Sequence, residues 1–268
     1  MKNFKKYVFE YLLIITTILL TVSGFWNIFF GAEAKPNGHQ TFHVIVNFSW
    51  LFLMLYQLSL IGNKQPAIHK RVGLSILFFG PLLVAQVAIL AIHSAHRGLV
   101  SGEGDFMIVQ NVLAPIELAL IILMAFILKK RRKIHAAFLI STVVLMLGIS
   151  IFFLLLAVAP HLLGYGMYIT FFVGVLFFLK DRKYGWPTLL CSSFFIINDF
   201  INSILIKNGL IQPLTEFIGS LNQPVTFFVS FIVLLLLLIS TGIIPKRPAT
   251  AFVGPAGPGA TDPGIQNI

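Results

Sequence analysis

The stretch KKRRKIHAAFLISTVVLMLGISIFFLLLAV, residues 129–158, decides the fold. Five basic residues in a row are followed by a run from Ile134 to Val158 that contains no Asp, Glu, Lys or Arg. As a helix rising 1.5 Å per residue such a run is about 37 Å long, and about 20 apolar residues already cross a bilayer. Lys and Arg are retained on the cytoplasmic side, so the block also fixes which way the helix enters.

Runs of the same kind recur on either side. Eight membrane spans are predicted at about 7–30, 41–61, 72–93, 106–128, 135–158, 161–180, 186–206 and 225–244, separated by short polar loops. With a cytoplasmic N-terminus, the inner segments carry Lys2, Lys5, Lys6, Lys64, Lys70, Arg71, the block 129–133, Lys180, Arg182, Lys183, Lys246 and Arg247. Only Lys35, Arg97 and Lys207 of the 19 basic residues are left outside. The expected fold is therefore all-α: a multi-pass bundle over residues 1–244, with hairpins at about 41–158 as its polar-lined core and both termini cytoplasmic. Residues 245–268 contain five prolines and four glycines. With little to bury, they are expected to be a disordered cytoplasmic tail.

Composition agrees. The chain has 268 residues, 57% of them hydrophobic and 10% charged, with a mean hydropathy of +0.93; soluble domains carry about 25% charged residues. The net charge of +10 follows membrane orientation rather than a nucleic-acid partner. The partners expected are the lipid bilayer and, in the readings below, other membrane subunits or a redox partner. A single cysteine, Cys191, excludes an internal disulfide, a CxxC pair and a thiolate cluster. No Gly-rich phosphate loop, HExxH motif or nucleophile elbow is present, and no catalytic residue is assigned.

All the histidines fall near helix ends. His43 begins the second span and His93 ends the third, so a hairpin is expected to bring them to one depth. His96 follows His93 by three residues, and Glu103 and Asp105 lie in the same loop. Imidazole with carboxylate at this spacing suits a transition metal such as Zn, Cu or Fe, with Asn47 and Gln86 as hydrogen-bond partners that orient the ligands. The same histidines also fit plain hydration at the interface. His39, after Pro36-Asn37-Gly38, is expected to stay in the loop.

A weak repeat relates KQPAIHKR (64–71) to KRRKIHAA (130–137), 66 residues apart. It would make His69 and His135 equivalent across an axis along the membrane normal, as two imidazoles of a six-coordinate haem b require. Both also sit in charged junctions where an imidazole meets lipid phosphates.

Intramembrane carboxyl groups are functional hypotheses by default. Glu117 lies near the middle of the fourth span, on one face with Gln110, with Gln86 and Asn47 as expected partners. Counted at 1.5 Å per residue from Asp105, it falls roughly 15 Å below the helix entry, too deep to join a metal with His43 and His93. A protonated, proton-relaying role suits it better. Asp199 with Asn198 and Asn202 in the seventh span forms either a cation or proton site or a neutral helix contact.

Four segments carry a family likeness: GFWNIFF (24–30), FHVIVNFSWLFLMLYQ (42–57), HKRVG (69–73) and RRKIH (131–135). Over about residues 25–158 the chain resembles a family of uncharacterised bacterial integral membrane proteins. Its members typically read Phe-Trp-Pro and His-Arg-Arg-Leu-Gly at the first and third places; here Asn27 replaces the proline and Lys70 the first arginine. The resemblance implies a helical membrane domain with histidines at helix ends, and no reaction. Two functions follow from the residues. One is a cytoplasmic-membrane protein binding haem b or a transition metal through His43, His93, His69 and His135, for electron transfer or maturation of a respiratory complex. The other is a proton- or cation-coupled small-solute transporter built on Glu117 and Asp199. A structural subunit without cofactor stands beside them.

Overall fold

The computed structural model describes residues 4–32, 34–102 and 107–243. Glu103, Asp105 and the tail at 245–268 lie outside the described residues. Within them the regular structure is all helical: a 3-10 turn at Phe4–Tyr7, then α1 (Val8–Gly24), α2 (Trp26–Phe29), α3 (Gly38–Gly62), α4 (Pro66–Gly73), α5 (Ile76–Ser101), α6 (Ile108–Ile127) and α7 (Arg132–Val158). A second 3-10 turn at Pro160–Tyr165 leads to α8 (Gly166–Lys180), α9 (Trp186–Lys207), α10 (Ile211–Gly219) and α11 (Gln223–Ile243). Among the described residues seven helices are long and apolar enough to cross a membrane: α3, α5, α6, α7, α8 with its leading turn, α9 and α11. The chain is a multi-pass helical membrane protein. α1 is apolar but has only 17 residues.

α5 and α7 are the two axes of the bundle. α5 packs on α3, α6, α10 and α11, and α7 on α1, α6, α8 and α9. The core between them is dense with Ile, Leu and Val, and Trp50 is wholly buried there. Its indole N–H is satisfied by the Thr142 hydroxyl of α7 at 2.9 Å, as a buried donor must be. Thr21 of α1 and Ser150 of α7 bring their hydroxyls within 2.8 Å. Gly24 permits that approach, since a Cβ there would stand 2.8 Å from the Ser150 carbonyl oxygen.

One end of the bundle collects basic side chains. Lys180 pairs with Glu10 at 2.7 Å and Lys133 with Asp181 at 3.3 Å, while Lys129 donates to the Thr241 carbonyl at 3.1 Å. We call this the basic end; the other, where α3 and α6 start, is the histidine end.

Three expectations about the elements change. The first run, 7–30, is not one helix: α1 stops at Gly24, and Phe25 adopts φ −96°, ψ 9° before the single turn of α2. The third span begins later and runs further, as α5, because the chain breaks after HKRVG. There the Ser75 hydroxyl donates to the Val72 carbonyl and the Leu74 N–H to Arg71. α4 is thus a separate, unburied helix, whereas His135 stands in the unbroken α7, so the repeat is not matched in local structure. Finally, α10 is an additional short helix lying against α5.

Candidate functional site: a polar cavity inside the bundle

A cavity of about 310 Å³ lies among α1, α3, α5, α6 and α7, with Phe195 of α9 completing its wall. Gln40, Arg97 and Met107 stand toward the histidine end; His43, Asn47, Gln110, Glu117 and Thr142 line it further in. Most of the remaining surface is Leu, Ile, Val, Met and Phe. Phe195 reaches the wall because Gly148 of α7 has no side chain, and the ring lies where a Cβ would be.

α3 supplies the histidine. Asn37 starts the helix with a reciprocal cap: its Oδ1 accepts from Gln40 N–H at 2.8 Å, and Gln40 Oε1 accepts from Asn37 N–H at 2.9 Å. Pro36-Asn37-Gly38 is therefore a helix entry rather than a turn, and His39 belongs to α3. His43, one turn on, is hydrogen-bonded through Nδ1 to Gln86 Oε1 of α5. An amide oxygen only accepts, so Nδ1 carries the proton and Nε2 keeps its lone pair. Asn47 donates to the His43 backbone carbonyl at 2.8 Å, not to its ring.

The histidine pairing expected from the hairpin is replaced by another. His93 accepts from the Asn37 amide at 3.2 Å, and its ring lies 5.2 Å from that of His39, centroid to centroid. α5 continues past His93 to Ser101, so the position level with His43 is Gln86, two turns below. His96 is exposed. Of the proposed metal set, His43 and His93 each have other partners. Among the described residues no three His, Cys, Asp or Glu side chains converge as metal ligands do.

α6 supplies the acid. Glu117 is 8% exposed, and its Oε2 is buried without a hydrogen-bond partner. Asn198 of α9 faces this carboxyl and also donates to Gln110 Oε1 at 2.9 Å, so one asparagine ties together the polar face of α6. The depth inferred from Asp105 is overturned by the α5–α6 register. Ile122 packs on Gly80; Gln86 is six residues above that contact on α5 and Glu117 five above it on α6, rises of about 9 and 7.5 Å. Glu117, Gln86 and His43 therefore stand at nearly one level. Asp199 does not join them. Asn198 meets Gln110 in the first turn of α6, and its neighbour Asp199 is exposed on the outside of α9. Asn202 is half-buried with no role in this cluster.

At the basic end His69 and His135 are electrostatic neighbours. With its amide oriented to satisfy both neighbours, Gln57 donates to His69 Nδ1 and accepts from Gly73 N–H at 2.8 Å. His135 Nδ1 donates to the Ala125 carbonyl at 2.7 Å. Burial first, and then the charge of His135, hold His69 below the ordinary histidine range, against a hydrogen bond to the Gln57 backbone.

Sequence reasoning overlooked Arg97 at the mouth, the Trp50–Thr142 bond below the cavity, and Phe195. Of these only Thr142 left a trace, as a hydroxyl within the long apolar run. No protein-family model matches the chain, and neither a curated protein nor a solved structure matches it.

Proposed function

We propose that this membrane protein admits a small, largely apolar solute to the cavity from the histidine end and exchanges a proton with it through Glu117, as a proton-coupled solute carrier does. The observation that carries the reading is the unpartnered Glu117 carboxyl oxygen in the wall of an otherwise apolar cavity. Pockets that are mostly apolar with a few convergent polar groups are the usual form of small-molecule sites, and an ionisable group at mid-membrane depth costs too much to be kept without a use. His43, fixed in one tautomer by Gln86, is the second proton-accepting group. The gathering of positive residues at one end supports placing that end in the cytoplasm, so the cavity faces outward from the cytoplasmic membrane. The Trp50–Thr142 bond and the packed core beneath it close the inner side.

Haem b or a metal ion has less support. The outer histidines are committed to Gln86 and Asn37. At the inner end His69 is half-buried on α4, beside Lys70 and Arg71. Neither end supplies two opposed imidazoles in an apolar slot, and Asp199, exposed on α9, drops out of the ion site.

The test is infrared spectroscopy of the protein in lipid at neutral pH. With only amides for neighbours, Glu117 should hold its proton and show a carboxylic C=O stretch that disappears in Glu117→Gln. A wild-type spectrum without that band refutes the proton-exchanging role.

A further inference from the structure

We infer that the solute is a small neutral ring bearing hydroxyl groups on two opposite sides, of the quinol or dihydric-phenol class; the inference rests on the function proposed above. The polar groups of the cavity come from two separate walls. α3 packs on α1 and α5, and α6 packs on α5 and α7, so His43 and Glu117 face the same space from different sides and at nearly one depth. Each wall has hydrogen-bonding capacity to spare. Glu117 Oε2 has no partner. The His43 ring spends only Nδ1 on Gln86, which leaves Nε2 as an acceptor. A ring hydroxyl donates to that nitrogen, while an oxygen on the opposite side of the ring meets the Glu117 carboxyl. A solute with a single polar end satisfies one wall and strands the other, and a buried polar group left unpaired is costly.

Size and lining narrow the class. At about 310 Å³ the cavity is at the small end of the roughly 300–1,000 Å³ of small-molecule sites, enough for one substituted ring and too little for a porphyrin. Phe25, Phe29, Phe152, Phe153 and Phe195 supply flat apolar walls, against which aromatic rings stack or meet edge-on. Neutrality follows from charge. Arg97 stands at the mouth, and among the described residues lining the cavity it is the one Lys or Arg. An anion at the depth of Glu117 finds no fixed positive charge, and a cation finds a counter-charge only if Glu117 gives up the proton assigned to it above; burying either unpaired is expensive.

The experiment uses the full chain in lipid nanodiscs with Trp26→Phe and Trp186→Phe, so that Trp50, hydrogen-bonded to the cavity-lining Thr142, is the sole indole. A tail-less dimethoxy-methyl hydroquinone, kept reduced under argon, is titrated while Trp50 fluorescence is followed. Octanoate and tetraethylammonium, an anion and a cation, are tested as competitors. Saturable quenching is expected. It should weaken at least tenfold in Glu117→Leu and in His43→Phe, persist within about threefold in Glu117→Gln (a neutral mimic of the protonated acid), and stay unchanged in Asp199→Asn. Helical circular dichroism checks each fold. Quenching that rises linearly and equally in all variants, or competition by either ion, overturns the ring assignment. If no hydroquinone binds while the Glu117 infrared band is present, the solute class fails and the proton-exchanging cavity stands; if the band is also missing, both fail.

Discussion

Replacing Thr142 by valine changes shape little but removes the acceptor for the Trp50 indole. Both residues are wholly buried, so water cannot replace the lost partner. An orphaned buried donor costs about 1–3 kcal/mol. Trp50→Phe is the complementary change. It removes the donor, and Thr142 is not stranded because its own hydroxyl donates to the Leu139 carbonyl at 2.7 Å. The smaller ring adds a packing loss, which cancels when the double variant is compared with the singles. Interhelical hydrogen bonds within membranes are worth about 0.6 kcal/mol on average and up to about 1.7 kcal/mol; a fully buried pair joining α3 to α7 belongs toward the upper part of that range. Reversible unfolding in mixed micelles, followed by far-ultraviolet circular dichroism for wild type, both singles and the double, measures the coupling. A neutral Thr142→Val with coupling below about 0.3 kcal/mol, the usual additivity error, refutes the bond and with it the seal beneath the cavity.

Topology is tested with the sole native thiol already out of the way, since Cys191 is buried. An impermeant thiol reagent should label Lys207→Cys in intact cells and Arg131→Cys only after the membrane is opened; labelling of position 131 in intact cells reverses the orientation. His69 makes stability depend on pH. Its folded form resists protonation, so below about pH 6.5, the ordinary histidine value, the unfolded chain binds more protons and stability falls with acidification. His69→Gln should flatten part of that fall, and a slope equal to wild type rejects His69 as its source. Lys180→Met should strand Glu10, whose Oε2 already has no partner, at a cost of about 1–3 kcal/mol. Adding Glu10→Gln should recover at least half of it, and a single variant as stable as wild type removes the pair from the account.

Helix identity was legible because lipid demands long uncharged runs, and the block at 129–133 marks an end unambiguously. Depth was not. Counting residues from an assumed helix end carried an error of two turns on α5, because nothing in HSAHRG signals that the helix continues past His93. The same error misplaced Glu117 relative to His43. What fixes depth is a tertiary contact, Ile122 on the side-chain-free face of Gly80, and a single sequence does not say which glycine receives which neighbour. Asn198 and Asp199 show a second limit. Adjacent residues on a helix point about 100° apart, so one enters the bundle and the other leaves it, although they read as one polar cluster. The Glu117–Gln110 face was readable because a seven-residue spacing returns to the same side of any helix.

Asn37 performs two tasks with the two ends of one amide. Its oxygen caps α3 and its nitrogen holds His93 on α5. Aspartate or serine caps a helix as well as asparagine does, but neither offers an amide N–H to the imidazole. The position is therefore free to vary among capping residues only in chains where site 93 asks for nothing. In proteins that share this architecture, asparagine at 37 and histidine at 93 should come and go together, while Gln40, which takes only the backbone N–H of residue 37 and does not touch His93's bond, should follow neither.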